Sequence, residues 1–444
     1  MSDSHAQSQH AGTKGHEGQA DSAFALKGTI LYSESPHQLT VVKDGYVICR
    51  QGICQGVYPC LPKQYQGILC VDYQDALIIP GMTDLHIHAP QFPYRGTSMD
   101  LELLEWLNTV TFPQEAKYRD ADYARRAYQI FAQEMKKGAT TSACIFGTMH
   151  VEATEILMDL MEETGIRAYV GKVNMDRNSP DILREESWES SIAHTRQWLE
   201  GTVGRYRHVK PILTPRFTPS CTDKLMEQLA VLQKEYHLPV QSHLSENLSE
   251  IQWVRELCPD AEGYGDTYDR YGMFGGSCPT IMAHCVYLTE KEIRRMKEQQ
   301  VFVAHCPESN MDLSSGIAPV RRYLEEGIPV GLGTDVAGGH HSSVLHQIGD
   351  AIGMSKLRWR LVDQSLKPLT LSEAFYMATM GGGAFFGKVG SFLPGYAFDA
   401  VVLTDQNFPR PYEFDPIQRL EQLIYLGDDR NLIGKYCSGK QIRL

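Results

Sequence analysis

Short apolar runs alternate with longer amphipathic stretches through most of the chain after residue 80. Eight of these runs have the length and apolar content of buried strands, and the stretches between them repeat apolar residues at helical spacing. The predicted strands cover residues 82–88, 140–146, 167–173, 209–214, 239–243, 280–284, 301–305 and 328–334. The predicted helices include residues 121–137, 151–163, 223–236, 289–298, 318–326 and 371–380. Strands that alternate with helices in this way indicate parallel β/α units.

The polar residues that follow the predicted strands distinguish a closed barrel from an open sheet. Side chains capable of chemistry stand at or just after the ends of several different strands: His86, His88, Arg216, His243, His284, His305 and Asp335. In a barrel these ends meet at one mouth, whereas an open doubly wound sheet spreads them along an edge. We therefore predict an α/β fold, a (β/α)8 barrel of the triosephosphate isomerase (TIM) type.

The two ends of the chain have a different pattern. Runs at 25–32, 39–49 and 67–71 are typical of strands, as are a turn and strand at 395–403 and a closing hairpin at 430–444. We expect residues 23–80 and 385–444 to form one small composite β domain beside a barrel at 81–384. Residues 1–22 are rich in Ser, His, Gln and Gly and have no apolar core of a secretory signal, so we predict a disordered N-terminal tail.

Composition and charge narrow the class of partner. The formal net charge is −12, which argues against nucleic acid or an anionic membrane as the main partner. No apolar run approaches the length of a membrane span. The eleven cysteines are an odd number without a C-x-x-C pair, which indicates reduced thiols and a cytoplasmic location.

His86 and His88 are the first candidates for metal binding. Residues two apart on a strand point to the same side, so both imidazoles can bind one ion. His243 and Asp335 complete a set of three imidazoles and one carboxylate, which suits one Zn²⁺ per subunit, with Fe²⁺ as an alternative. Such an ion lowers the pKa of a bound water to about 7, so this set of ligands predicts a hydrolytic reaction. The alternative reading is that the two histidines are ordinary polar residues at a strand end.

Five further residues are candidates for catalysis and substrate binding. Glu246 follows His243 by three residues and can transfer a proton, although a glutamate at a helix N-terminus is an equally ordinary reading. His284 can bond the attacking water or the developing oxyanion. Arg216, Phe217 and Gln91 offer a guanidinium, a stacking ring and an amide, which together fit a planar purine base. For His305, structural and pocket-lining roles stay open.

The chain resembles the guanine deaminases of the amidohydrolase superfamily over nearly all of its length after the tail. The stretches that carry the resemblance are Pro-Gly-Met-Thr-Asp-Leu-His-Ile-His-Ala-Pro-Gln-Phe at 80–92, Leu-Leu-Glu-Trp-Leu at 103–107, Thr-Phe-Pro at 111–113, Thr-Pro-Arg-Phe at 214–217, Ser-His-Leu-Ser-Glu-Asn at 242–247, Met-Ala-His at 282–284, Ala-His-Cys-Pro at 304–307 and Gly-Leu-Gly-Thr-Asp-Val-Ala-Gly-Gly at 331–339. The metal ligands alone would identify only the superfamily.

The resemblance implies hydrolysis of guanine to xanthine and ammonia by a water activated at a single zinc, in a homodimer. By analogy, Gln91 and Arg216 would hold the base and Phe217 would pack on it. The same analogy assigns proton transfers to Glu246, His284 and Asp335, which with His243 would also contact the substrate.

Two other functions stay open from the sequence. A related mononuclear deaminase could act on another purine, a nucleoside or a triazine with the same ligands. A metal-free amidohydrolase-like binding or scaffold protein would belong to another class, but it predicts missing ligands, and all four are present.

Overall fold

The computed structural model describes residues 23–444, so the predicted tail at 1–22 lies outside the described residues. The strands are β1 Phe24–Ser35, β2 Gln38–Arg50, β3 Ile53–Tyr58, β4 Leu69–Pro80, β5 Met82–His88, β6 Thr140–Phe146, β7 Arg167–Gly171, β8 Val173–Asn174, β9 Val209–Pro211, β10 Thr214–Pro215, β11 Val240–Leu244, β12 Thr280–His284, β13 Phe302–His305, β14 Val330–Leu332, β15 Ala400–Leu403, β16 Leu432–Cys437 and β17 Lys440–Gln441.

The helices alternate with the strands from β5 to β14, and further ones follow β14. They are α1 Leu103–Trp106, α2 Phe112–Glu115, α3 Ala121–Lys137, α4 Val151–Thr164, α5 Trp188–Thr202, α6 Asp223–Tyr236, α7 Leu248–Leu257, α8 Asp266–Asp269, α9 Glu290–Gln299, α10 Pro307–Asp312, α11 Val320–Glu326, α12 Val344–Leu361, α13 Leu371–Tyr376 and α14 Pro416–Leu426. None of the helices within residues 23–444 has the length and hydropathy needed to cross a bilayer.

The parallel strands close into a barrel. β5, β6, β7 and β9 form one four-stranded sheet, β11 to β14 form a second, and β8 pairs with β10 in a short two-stranded sheet. Backbone bonds around Leu213 join the two four-stranded sheets on one side, since its N–H donates to the Pro239 carbonyl and its carbonyl accepts from Gln241 N–H. On the other side Asp335 N–H donates to the His86 carbonyl at 2.8 Å. The predicted TIM-type barrel is confirmed.

Two predicted barrel strands are interrupted. The prediction at 167–173 is divided into β7 and β8, and the prediction at 209–214 ends at Pro211 before β10 resumes. Pro211 and Pro215 have no N–H group, so this part of the ladder cannot pair continuously. The interruption at residues 212–213 is followed by β10, and Arg216 comes directly after β10.

The remaining strands form one seven-stranded sheet from both chain ends, in the order β17-β16-β15-β4-β1-β2-β3. β4 pairs antiparallel with β15, with Pro80 opposite Ala400, and pairs parallel with β1. The predicted run at 67–71 overlaps the start of β4, which continues to Pro80, and β3 was not predicted. The composite sheet is confirmed, while the domain boundaries at residues 80 and 385 stay a prediction.

Gly81 connects this sheet to the first barrel strand. A Cβ atom at this position would lie 2.0 Å from Thr141 Oγ1 on β6, so only glycine fits. Buried polar contacts also join the seven-stranded sheet to the barrel helix α3. Lys435 of β16 donates to the carbonyls of Met135 and Gly138, at the C-terminus of α3. Close packing at Gly81 therefore fixes the start of β5, the strand that contains His86 and His88.

Candidate active site

Three histidines and an aspartate converge at the mouth of the barrel. His86 and His88 end β5, His243 lies on β11, and Asp335 follows β14. The Nε2 atoms of His86 and His88 lie 3.2 Å apart and 3.1 and 3.3 Å from Asp335 Oδ1. His243 Nε2 lies 3.3 Å from His88 Nε2. All four ligand atoms are within 4.8 Å of one another.

The surrounding residues orient these ligands. His243 Nδ1 lies 2.6 Å from the Arg216 carbonyl, and an N–H donated there leaves Nε2 with a free lone pair. Ser309 Oγ donates to Asp335 Oδ2 at 2.6 Å. Asp84 accepts bonds from the Thr334 hydroxyl and from the backbone N–H of His86 and therefore ties β5 to the end of β14. Such outer contacts fix the tautomer and direction of metal ligands.

The arrangement fits a divalent cation. Burial lowers the pKa of His86, lowers that of His88 to about 4, and places that of His243 well below its usual value. The three imidazoles are therefore neutral at pH 7, and their Nε2 atoms face one another. A cation can be bound by these nitrogens and by Asp335, and the donor set is one that zinc accepts.

Glu246 and His284 lie beside the metal ligands. Glu246 Oε1 accepts a bond from Ser315 Oγ at 2.9 Å, and its Oε2 lies 3.4 Å from His284 Nε2. His284 Nε2 is also 3.7 Å from Asp335 Oδ2, while Nδ1 lies 2.9 Å from the side-chain oxygen of Asn310. Burial, followed by the charge of Asp335, raises the pKa of Glu246. A carboxyl in this position can hold a proton at neutral pH.

The backbone at these positions departs from ordinary geometry. Ser245, His284 and Asp335 have φ angles of 50°, 70° and 47°, in the left-handed region that side chains other than glycine rarely occupy. Ser245 directly follows β11, His284 is the last residue of β12, and Asp335 lies three residues after β14. Strain of this kind concentrates at functional sites, where the surrounding fold maintains it.

A second polar group is centred on Glu115, at the end of α2. Its two carboxylate oxygens accept from the Arg216 guanidinium at 2.6 and 3.2 Å, and Oε1 also accepts from Gln91 Nε2 at 2.8 Å. Gln91 Oε1 accepts from the Ala337 N–H at 3.1 Å. All three side chains are buried. The network fixes the amide orientation of Gln91 and leaves further N–H groups of Arg216 and Gln91 for a ligand.

Residues of both polar groups line one cavity. Its walls are formed by His88, Gln91, Leu103, Trp106, Leu107, Arg216, Phe217, His243, Glu246, Glu250, His284, Leu313 and Asp335. The Phe217 ring packs edge-on against Trp253 with centroids 6.1 Å apart. Of the thirteen lining residues five are apolar and eight are polar or charged, so the cavity offers both apolar surface and convergent polar groups to a small molecule.

Comparison with known proteins identifies the family. The model of the amidohydrolase family matches residues 77–442. A guanine deaminase of Dictyostelium discoideum is 41% identical over 381 residues, which is 84% of this chain and 84% of that protein. The Escherichia coli guanine deaminase is 35% identical over 417 residues, 91% of this chain and 92% of that protein. This chain belongs to the guanine deaminases of the amidohydrolase family.

The resemblance seen in the sequence is therefore confirmed. A crystal structure of an amidohydrolase of this group, the guanine deaminase from C. acetobutylicum with guanine bound in its active site, superposes with a TM-score of 0.92. The two chains are 45% identical, and the match covers 95% of this chain and 100% of the other. A triazine hydrolase is only 18% identical, so its likeness extends to the amidohydrolase fold alone.

The structure brings the nine site residues predicted from the sequence together at the barrel mouth. The four metal candidates form one cluster, and Gln91, Arg216, Phe217, Glu246 and His284 line the same cavity. His305 is buried but is not among the residues that line the cavity, and burial lowers its pKa to about 3. The roles assigned to these residues stay predictions.

The sequence interpretation missed four residues that hold this amidohydrolase site in place. Glu115 supports Arg216 and Gln91, Ser309 supports Asp335, Asn310 contacts His284, and Ser315 contacts Glu246. Glu115 stands two residues after the Thr-Phe-Pro stretch and has the pattern of an ordinary helical glutamate. Its burial, which would have indicated a partner, is not visible in the local sequence.

Metal-free protein should lose stability in acid, partly through His88. The pKa of His88 is lowered to about 4 in the folded chain, so the unfolded chain takes up this proton at higher pH than the folded one. Protonation below about pH 6.5 therefore favours unfolding. Urea unfolding of the metal-free parent and of His88→Gln, each at pH 7 and pH 4.5, measures the effect. The parent should lose about 2–3 kcal/mol more than the variant, and equal losses would contradict the assignment.

Proposed function

We propose that the protein hydrolyses guanine to xanthine and ammonia and that His86, His88, His243 and Asp335 hold one zinc ion. The observation that carries this proposal is the cavity itself. It joins a metal-ligand cluster and a raised-pKa carboxyl to a buried Arg216–Glu115–Gln91 network that suits a planar base. The relatives over most of the chain are named guanine deaminases, which supports the same substrate.

Arg216, Gln91 and Phe217 bind and orient the base in this proposal. The guanidinium is always charged and donates to a carbonyl oxygen, while Gln91 presents an amide of fixed orientation to the edge of the heterocycle. Phe217 contributes an apolar surface against a ring face. The buried carboxylate of Glu115 holds Arg216 and Gln91 in place before the substrate arrives, which reduces the ordering required on binding.

When bound, the zinc ion would lower the pKa of a water molecule, so that hydroxide is available at neutral pH. Asp335, beside His284, accepts the proton that this water loses. Glu246 donates a proton to the ring nitrogen N3, which makes C2 of the base more electrophilic. His284 directs its Nε2, which has no hydrogen-bond partner among the described residues, toward the oxygen added at C2.

Release of ammonia completes the reaction. Asp335 returns its proton to the amino nitrogen as the C–N bond at C2 breaks, and the hydroxyl proton on C2 passes to Glu246 as the new carbonyl forms, so Asp335 is again a carboxylate and Glu246 again a carboxylic acid. The sum is guanine plus water to xanthine plus ammonia. A carboxyl with a raised pKa can alternate between donor and acceptor near neutral pH.

The test is ammonia release from guanine, 8-oxoguanine, guanosine, adenine, adenosine and a triazine, with zinc-loaded protein and a chelated control. We expect metal-dependent turnover of guanine and little turnover of the nucleosides, because in this proposal Arg216, Gln91 and Phe217 bind a free base. Turnover of another compound in place of guanine would contradict the roles of Arg216 and Gln91. Absence of turnover across the panel with zinc bound would favour a binding protein.

The oligomeric state and the compartment of the enzyme can also be proposed. We propose a homodimer in the cytoplasm that acts on a small purine base and not on nucleic acid or membrane. All eleven cysteines are free thiols, which supports a reducing compartment. Sedimentation of the purified protein would test the dimer, and a monomer at micromolar concentration would contradict it.

A further inference from the structure

A second cluster of potential metal ligands lies outside the catalytic cavity. It combines Glu308, on α10, with His340 and His341, in the segment that follows β14. Glu308 Oε1 lies 2.5 Å from His341 Nδ1 and 3.3 Å from His340 Nε2. One ligand atom from each of the three residues lies within 4.8 Å of the others. None of the three lines the catalytic cavity.

The hydrogen bonds around this cluster resemble those that orient the ligands of known metal sites. His340 Nδ1 lies 2.6 Å from Asp312 Oδ2, and an N–H donated there leaves the Nε2 lone pair directed toward Glu308. The second carboxylate oxygen of Glu308 accepts from the His341 backbone N–H at 2.9 Å and from Gln347 Nε2 at 3.2 Å. Pairing of a ligand imidazole with a carboxylate on its other nitrogen is the usual arrangement at zinc.

Access and charge also favour a cation. The Glu308 side chain is 2% exposed, whereas those of His340 and His341 are 36% and 47% exposed, so an ion can enter from solvent. Asp312 and Asp350 add negative charge beside the two histidines.

A third imidazole stands beside the cluster. The His346 ring packs edge-on against His341 with centroids 4.7 Å apart, and its Nε2 lies 2.8 Å from the Gly427 carbonyl. Its buried Nδ1 has no hydrogen-bond partner among the described residues. An unpaired buried nitrogen next to two half-exposed imidazoles is a second sign that a ligand belongs here.

We propose that Glu308, His340 and His341 form a second site for a divalent transition-metal ion, and that zinc is an ion it accepts. Two imidazoles and one carboxylate are a borderline-soft donor set, which suits zinc, copper or nickel better than calcium or magnesium. His341 must rotate away from Glu308 to make room, and its exposure permits this. The site does not depend on the proposed deaminase activity.

The position of the site connects it to the catalytic centre through α10. Glu308 contacts the two histidines, while the next two residues, Ser309 and Asn310, bond to Asp335 and His284. An ion at the second site therefore anchors the short helix that orients two catalytic groups. Binding to the folded state should raise the melting temperature by about 2–3 °C when free zinc exceeds Kd a hundredfold.

Zinc stoichiometry at a fixed, buffered free zinc concentration tests the proposal. The experiment compares the parent, His340→Ala/His341→Ala, Glu308→Gln, the catalytic-site variant His86→Ala/His88→Ala, and a matched control. The matched control is His37→Ala/His194→Ala, which removes two exposed histidines elsewhere. The histidines of residues 1–22 are the same in all five proteins, so any zinc they bind cancels in the differences.

The parent and the matched control should retain about two zinc ions per chain, and each of the other variants about one. The zinc-dependent rise in melting temperature should also be absent from the two second-site variants. If the parent and both second-site variants bind equal amounts of zinc, the proposal is wrong. If guanine is not turned over but the parent still binds one more ion than these variants, the second site stands and only the catalytic proposal fails.

Discussion

Replacing Glu246 by glutamine should lower kcat for guanine by at least about 10³-fold while zinc binding stays unchanged. Glu246 is not among the four ligand candidates, so removing its acidity leaves the metal cluster intact. Glutamine has nearly the same shape and can still accept the bond from Ser315 Oγ. It cannot donate a proton to N3 and recover one from the hydroxyl group on C2, as the proposed reaction requires.

The free energy of unfolding of metal-free Glu246→Gln at pH 8 should equal or exceed that of the parent. Burial and the Asp335 charge raise the pKa of Glu246 in the folded state, so ionisation of the folded protein costs free energy at pH values above the ordinary pKa of glutamate. Glutamine removes that cost, and we expect equal or higher stability of metal-free protein at pH 8. Single-turnover kinetics, zinc analysis and urea unfolding together check the three expectations.

Glu256→Gln is a matched control for this experiment. Glu256 lies on α7, ten residues after Glu246, and is exposed. The Glu256→Gln variant should keep the activity of the parent. If Glu246→Gln were to retain near-parent kcat with zinc bound, the assignment of Glu246 as the proton carrier would be wrong.

Replacing Glu115 by alanine should raise KM for guanine by about 10²-fold and lower the free energy of unfolding by about 3–5 kcal/mol. Loss of the carboxylate leaves the Arg216 guanidinium buried without its charged partner and frees the Gln91 amide to reorient. A buried charge without a partner is strongly destabilising. Because Glu115 acts by positioning the groups that hold the base, KM should change more than kcat.

Two further variants separate positioning from a purely structural role. The double variant Glu115→Ala/Arg216→Met removes both charges, so it should recover much of the lost stability but none of the affinity for guanine. Glu105→Ala replaces an exposed glutamate of α1 and should leave both unchanged. Steady-state kinetics and urea unfolding measure both effects. Recovery of KM in the double variant would contradict a role for Arg216 in binding the base.

The sequence predicted most of the barrel because its signals are local. Strands β5, β6 and β12 and the amphipathic helices α3 and α6 were placed with the correct bounds, since each element's own residues specify its period. The bounds of β11, β13 and β14 differ from the prediction by one or two residues. The interruption at Pro211 was missed because pairing between neighbouring strands depends on residues far apart in sequence. Helices α12 and α14 were not singled out, although both have buried apolar faces.

The metal ligands and cavity residues were accessible to sequence reasoning for a related reason. Ends of parallel strands in a barrel meet at one mouth, so the position of His86 or Asp335 at a strand end already implies its neighbours. The family resemblance then narrowed the candidate substrates to guanine. Both inferences can be made without knowing which side chains are buried together.

The sequence by itself determined the barrel class, the composite terminal sheet and the nine residues of the candidate site. Only the tertiary structure decided what supports them. Glu115 and Arg216 are 101 residues apart in the chain, and Ser315 and Glu246 are 69 apart. Hydrogen bonds and ion pairs over such separations form where folding buries polar groups together, and no local period of hydrophobicity records which partners meet.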